Sequence, residues 1–316
     1  MFVGMEKKEI HFLMGAGASF ASADTTPFRV PLGKDLFDSL ERTIGGYYFQ
    51  NMEEKIKIVF RDDFEKGMEI LFQNNVDATW MQIALSKYFL QFVAGEQNVY
   101  LRLLDMLINR DVVYSFSTTN YELLIEQCLN QKELVPYYGI GIRQNSYNLI
   151  SLLKIHGSPN FIPDANVDNF LMQGCVFPAK KTIASYPVKA VMPQEALDFA
   201  YKNNGLAASM AMYAMGKDVL HAPSVVELQQ ELWRLKLKHQ CKFIVIIGLR
   251  IIERDEHIWS FLAIQVNIPI LYVGDEVEFF DWKRRNNRKN CFYLGDRFEN
   301  CISEIEAYIS GERSLT

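Results

Sequence analysis

Cysteine is scarce and unpaired in this sequence of 316 residues. The five cysteines, Cys128, Cys175, Cys241, Cys291 and Cys301, are odd in number, widely spaced and never arranged as C-x-x-C. That pattern argues against a zinc ribbon and against a disulfide framework. Long apolar runs are also missing: the most apolar continuous stretch, Phe243 to Leu249, is strand-sized, far short of the roughly 20 residues that a membrane span requires. Positive charge is not in excess. With 33 Lys+Arg against 38 Asp+Glu, the net charge is −5, so nucleic-acid binding driven by phosphate neutralisation is not expected. Internal repeats, low-complexity tracts and long Gly/Ser linkers are lacking too. The opening residues, Met1 to Lys8, are polar and have no apolar signal-peptide core, so the expected location is the cytoplasm.

What the sequence does have is a 49% share of hydrophobic residues, enough for one large core. Ile10, Phe12, Leu13 and Met14 form a short apolar strand that runs into Gly15-Ala16-Gly17-Ala18-Ser19. Further strand-like runs are Val112 to Phe116, Leu149 to Ile155, Phe243 to Ile247, Ile268 to Val273 and Cys291 to Leu294. Several are bounded by helical patterns, and strands alternating with helices predict an α/β fold with a Rossmann-like parallel sheet flanked by helices. Two stretches interrupt the alternation. Residues 46 to about 110 read as a helical insertion, with Ile56, Val59, Phe60, Phe64, Met68, Leu71, Trp80, Ile83 and Tyr88 recurring at helical spacing. Residues 161 to 240 read as a small lobe that closes on Ser224-Val225-Val226-Glu227, a capping-box pattern starting a helix with Leu228, Leu232 and Leu235 on one face. The sheet core is then expected over about 8–45, 110–160 and 241–316, in a single domain.

The candidate chemistry lies where strands end. A glycine turn after the first strand suits close approach of the backbone to a pyrophosphate, although Gly15 and Gly17 lack the third glycine of G-x-G-x-x-G. Ser117-Thr118-Thr119-Asn120-Tyr121 follows a second strand, and Lys154-Ile155-His156-Gly157-Ser158 a third. Open α/β sheets bind ligands outside the carboxyl ends of their strands, so Asn120 and His156 can converge there on one ligand.

In this order, Gly15 to Ser19, Val30-Pro31-Leu32-Gly33-Lys34-Asp35-Leu36, Thr118-Thr119-Asn120-Tyr121 and Lys154 to Ser158 resemble the motifs of the sirtuin superfamily. They are most similar to its bacterial branch of sirtuin-like NAD hydrolases used in defence against phages. Val245-Ile246-Ile247-Gly248 before Asp255, and Gly295-Asp296 before a terminal helix, resemble the family as well. The resemblance implies NAD as substrate and no metal. It places Gly15, Ala16, Gly17, Ala18, Ser19, Thr118, Thr119, Gly248 and Asp296 against the dinucleotide, and Asn120 and His156 in catalysis. It further implies control by homo-oligomer assembly or by a companion ATPase or other defence-system subunit, with no direct nucleic-acid or membrane partner.

Cleavage of an N-glycosidic bond passes through an oxocarbenium-like centre. An Asn amide suits ribose hydroxyls or a water, and an imidazole, titrating near neutrality, suits a general base. The chain departs from the family where Glu122 replaces Asp two places after the Asn, and where Gly248-Leu249-Arg250 replaces Gly-Thr-Ser, bringing a cation that could meet a phosphate. Sirtuin deacylases carry a four-cysteine zinc ribbon after the His-Gly motif, and here that region holds Cys175 alone. The expected activity is therefore hydrolysis of NAD to nicotinamide and ADP-ribose, with NAD-dependent protein deacylation or non-catalytic NAD/ADP-ribose sensing as the alternatives.

Other clusters have plainer readings. Lys283 to Lys289 packs five basic residues into seven positions and reads as a solvated loop, with partner contact second. Arg254-Asp255-Glu256-His257 reads as a helix start capped by Asp255, since neighbouring Asp, Glu and His cannot converge on a metal without a ligand from elsewhere. Met210 to Met215 reads as flexible core packing.

Overall fold

The strand Glu9–Met14 (β1) is buried along its whole length, because its alternating side chains serve two different layers. Ile10, Phe12 and Met14 enter one core while Leu13 enters the other. In the computed structural model, which describes residues 8–43, 47–73, 78–110, 112–140, 148–164, 186–202, 205–211, 221–252 and 255–315, this strand is the centre of the molecule. The remaining strands are β2 (Thr25–Thr26), β3 (Val93–Ala94), β4 (Tyr114–Thr118), β5 (Val135–Tyr137), β6 (Leu149–Lys154), β7 (Phe161–Pro163), β8 (Val188–Ala190), β9 (Cys241–Ile247), β10 (Ile270–Val273) and β11 (Cys291–Gly295). Seven form one sheet in the order β11-β10-β9-β1-β4-β6-β5, with every pairing parallel. β2 with β3, and β7 with β8, make two small antiparallel pairs.

Helices cover both faces. On one side Val99–Asn109, Leu124–Gln131 and Ile302–Ser310 pack with Phe12, Phe116, Val245 and Leu271. The same core takes in Phe37, Phe49, Phe60 and Phe64 from the helices that precede Leu90, and Phe37 stacks on Phe60 with centroids 5.0 Å apart. On the other side Pro223–His239, Glu256–Ile264 and Glu276–Arg285 place Trp233, Trp259, Phe279 and Trp282 over Ile244, Ile246 and Tyr272. Among the described residues no helix is long and apolar enough to cross a membrane.

All six strand expectations fall on strands within two residues. Val112 to Phe116 shifts at both ends, to Tyr114–Thr118, because Ser115, Ser117 and Thr118 find partners inside the sheet and are buried despite their polarity. The Pro223–His239 helix also departs from expectation. Its N-cap is Ala222, in the left-handed region at φ 47°, with Pro223 in the first turn, so Ser224 is not the cap. Its buried face is Val226, Gln229, Trp233 and Leu237, while Leu228 and Leu235 are exposed. Gln229 turns the helix: its Oε1 accepts from the Lys154 N–H at 2.9 Å and its Nε2 donates to the Tyr138 carbonyl at 2.7 Å. Cys128, Cys241, Cys291 and Cys301 are buried free thiols, and Cys175 lies outside the described residues, as do Met212 to Met215.

His11 sits fully buried between two strands. Lys236 Nζ donates to Glu9 Oε1 at 2.8 Å, and Ser115 Oγ donates to the same oxygen at 2.8 Å. The single Ser115 proton is therefore committed, so its oxygen accepts from His11 Nδ1–H at 2.8 Å and His11 Nε2 accepts from Ser117 Oγ at 2.8 Å. Burial, with the nearby Lys236 charge, pushes the His11 imidazole down to about 3. Between about pH 3 and 6.5 the unfolded chain thus binds a proton that the folded one refuses, and stability falls as pH drops through that window. Urea unfolding at pH 7 and pH 5 should show the wild type losing about 2 kcal/mol more than His11→Gln over the same interval. Equal losses would show that His11 does not set the slope.

Candidate functional site

The sheet register aligns the strand ends in one row. Met14 pairs with Thr118 on one side and Ile247 on the other, Thr118 pairs with Lys154, and Ile247 with Val273. The residues that follow, Gly15, Thr119, Ile155 and Gly248, therefore emerge side by side at the carboxyl edge. From β1 the chain moves to β4, on to the edge strand β5 and back between them as β6, then returns to β1's other side as β9 and moves outward again through β10 and β11. The boundary between β1 and β9 is the switch point at which α/β sheets open a crevice.

Glycine is required at that boundary for a reason the sequence does not display. Gly17 N donates to the Gly248 carbonyl at 2.8 Å, and Gly15 N to the Ile247 carbonyl at 2.8 Å. A Cβ on Gly15 would lie 2.5 Å from Gly248 O, and one on Gly17 2.8 Å from Gly248 Cα. Gly248 itself has φ +66°, and its Cβ would lie 2.1 Å from the Ala18 nitrogen. The glycines let two backbones touch. Of this turn, Ala16 is exposed and Gly17 half-buried, while Ala18 is buried against the core.

Asn120 fastens the turn to β4. Its Nδ2 donates to Gly15 O at 3.0 Å and to Ser19 Oγ at 2.9 Å, with Glu122 Oε1 at 3.3 Å. A carbonyl can only accept, so the Gly15 contact fixes which end of the amide is nitrogen. Thr118 Oγ1 donates to the Met14 carbonyl at 3.0 Å and accepts from the Asn120 N–H at 2.9 Å. Thr119 joins through its own N–H, which donates to Met14 O at 3.0 Å. Ser19 is saturated: its hydroxyl donates to Glu122 Oε1 and its oxygen accepts from Asn120 and, at 3.0 Å, from Tyr100. Burial pushes the Glu122 carboxyl above its ordinary range, against the pull of the Lys154 charge and the Ser19 hydrogen bond. Lys154 is wholly buried, donates to the Glu122 carbonyl at 2.9 Å and lies 3.0 Å from Glu126 Oε1.

His156 leaves β6 on a turn that needs Gly157. At φ +75° that glycine lies so close to the neighbouring segment that a Cβ would approach Ser209 O to 2.2 Å. His156 O accepts from the Ala211 N–H at 2.8 Å, and Ser158 N donates to Ser209 O at 2.9 Å. Only 4% exposed, the His156 ring meets a group that the sequence reading kept separate. Its Nε2 is 3.2 Å from His257 Nε2 and 3.9 Å from Asp255 Oδ1. Asp255 does precede the Glu256–Ile264 helix, but its side chain makes no capping bond. The ligand from elsewhere that those residues lacked is His156, 101 positions away.

Two expected contacts lie off this centre. Arg250 is held by Glu278, with Nε donating to Glu278 Oε1 at 2.9 Å, while its side chain stays 72% exposed. Asp296 follows β11, three strands from β1, and is 75% exposed beside Arg297. The basic run departs in part from its reading as a solvated loop: Arg284, Arg285 and Lys289 are exposed, but Lys283 to Arg285 complete the Glu276–Arg285 helix, and buried Arg288 donates to the carbonyls of Leu262 and, at 2.7 Å, Ile268.

No family model matches the chain, and no curated protein matches it. Among solved structures it is similar to a Sir2 enzyme at 14% identity, over 97% of this chain and 94% of that one, with a TM-score of 0.43. It is similar to a Sir2 homologue in complex with NAD at 13% identity (98% and 92% covered, TM-score 0.44), and to a Sir2 homologue mutant in complex with ADP-ribose at 12% (98% and 95%, TM-score 0.43). Chains this divergent leave the function to be argued from the protein's own residues.

The glycine contact yields a direct test. Gly248→Ala combines left-handed backbone strain with a backbone clash and should cost about 2 to 5 kcal/mol in urea unfolding. Gly33→Ala, at a helix start with nothing within 4 Å of the added methyl, should cost nothing measurable. Equal behaviour of the two variants would show that the β1–β9 contact is not tight.

Proposed function

We propose that the protein cleaves the N-glycosidic bond of NAD, releasing nicotinamide and ADP-ribose. The observation that carries this reading is the emergence of the Gly15–Ser19 turn, Asn120 and His156 from three adjacent parallel strands at the switch point of the sheet. Strands lie ~4.8 Å apart, so β1 and β6 are separated by about 10 Å, within the span of one dinucleotide. The turn at exposed Ala16 and half-buried Gly17 would take the pyrophosphate, with the edge of Gly248 beside it. Arg250 and Asp296 fall outside the assignment.

Asn120 and His156 divide the chemistry. With its Nδ2 committed to the turn, Asn120 offers Oδ1, which accepts no hydrogen bond among the described residues and suits a ribose hydroxyl or the attacking water. His156 accepts the proton that this hydroxyl or water releases as positive charge on the ribose develops and the nicotinamide leaves. The substrate supplies a good leaving group, so the protein's task is orientation and proton acceptance. The motif resemblance extends the reading to depletion of NAD during phage infection, under the control of assembly or a partner subunit.

NAD, nicotinamide and ADP-ribose should be measured in cells carrying the gene with its native neighbours, before and after phage challenge, and with purified protein. Matched loss of NAD and gain of both products is expected, reduced about 10²-fold or more in His156→Ala and Asn120→Ala. Acyl-lysine turnover with NAD consumed only alongside it, or NAD binding without turnover, would overturn hydrolysis in favour of deacylation or sensing.

A further inference from the structure

His156, Asp255 and His257 bring three donor atoms to within 4.8 Å of one another. The two imidazoles present the same atom, Nε2, across 3.2 Å. At metal–nitrogen distances near 2.0–2.1 Å, the edge of a tetrahedral zinc site is about 3.3 Å, so this pair already stands at ligand spacing. Asp255 Oδ1, at 3.9 Å from His156 Nε2, needs to close by only about 0.5 Å to reach the same edge. Two imidazoles and one carboxylate are a donor set for borderline divalent metals, and three protein ligands leave a fourth position open.

The supports for these donors are rigid. His156 is fixed by the backbone bonds of its turn to Ser209 and Ala211. Asp255 and His257 straddle the first turn of the Glu256–Ile264 helix, whose Ile258, Trp259 and Leu262 are buried in the core. His156 and Asp255 are buried and His257 is half-buried.

We propose that His156, Asp255 and His257 form a binding site for a divalent transition metal of the zinc type, and that occupation of the site silences His156. The first half stands on geometry alone. The second rests on the NAD-cleaving role given to His156: a metal on Nε2 takes the lone pair that would accept the proton, and dissociation of the metal restores it. The site would make the enzyme responsive to free metal without any additional domain.

The test begins without NAD. Cobalt(II) titrated into the purified full-length protein should give the visible spectrum of a four- or five-coordinate nitrogen/oxygen site at one equivalent, without the near-ultraviolet band of a cobalt–thiolate bond. Affinity should fall about 10- to 100-fold in His257→Ala and in Asp255→Asn, with near-ultraviolet circular dichroism confirming that both fold. Zinc should then lower NAD turnover by the wild type at least tenfold more than by His257→Ala, each relative to its own metal-free rate. A cobalt spectrum absent from the wild type, or unchanged in the variants, would overturn the site and leave a hydrogen-bonded imidazole pair. Turnover raised by zinc would overturn the silencing. Cobalt held by these residues in a protein that never cleaves NAD would overturn the silencing and the NAD reading while upholding the site.

Discussion

The contact between Gly17 and Gly248 is the constraint on which the rest of the molecule depends. Two strands that are neighbours in the sheet but more than 200 positions apart in the chain have their ends locked by a 2.8 Å backbone hydrogen bond. The lock leaves no room for a Cβ on either side. The chain leaving β1 enters the short Ala16–Phe20 helix directly from this contact. Because every strand of the sheet runs parallel, fixing these two ends also fixes the height at which Thr119 and Ile155 emerge. The candidate site is thus a consequence of sheet register before it is a matter of side chains.

Side chains then hold the row against relaxation. Asn120, Ser19, Glu122, Tyr100, Lys154 and Glu126 form a buried polar cluster beneath the turn. A buried ion pair contributes little net stability over an apolar pair of the same volume, yet removing one partner costs about 3–5 kcal/mol because a charge is left alone. Here that penalty works on geometry. Lys154 reaches the backbone of residue 122 and the side chain of residue 126, so β6 cannot slip along β4 without stranding its ammonium. Burial is what raises the Glu122 carboxyl, with the nearby Glu126 charge adding to it and the Lys154 charge opposing it.

How much of this could be read in the sequence depends on whether the information is local. The strands at 243–247 and 270–273 are continuous apolar runs, and those at 10–14 and 149–154 are mostly apolar, interrupted by His11 and by Ser151 and Lys154, because strands covered on both faces need no polar alternation. β5 escaped because Pro136 sits within it, which only an edge strand accepts. The buried face of the Pro223–His239 helix was misassigned because three leucines outweigh a glutamine on any hydropathy count. Gln229 wins in the fold by satisfying two backbone groups that would otherwise be buried unpaired. Arg288 was hidden in a basic run for the same reason: its burial depends on the carbonyls of residues 262 and 268, which composition cannot reveal. Gly15, Asn120 and His156 were legible as residues at strand ends, but the partner that makes glycine necessary, Gly248, belongs to the other half of the sheet.

The cluster around His156 shows the limit most sharply. Read along the chain, Asp255 and His257 are the first turn of a helix, and nothing local distinguishes them from an ordinary cap. Two facts of the fold change their meaning: the helix start is brought across the strand ends, and Gly157 bends the β6 exit so that His156 faces it. An imidazole opposed by another imidazole and a carboxylate has only a few states. It can share a proton with its neighbour, share a metal, or turn its lone pair to a ligand, and these exclude one another at a single Nε2. On the role proposed for His156, whatever engages its Nε2 beside His257 therefore decides whether that nitrogen is available to a substrate. Control of this kind requires no movement of the sheet, which the glycine lock and the buried charges hold still.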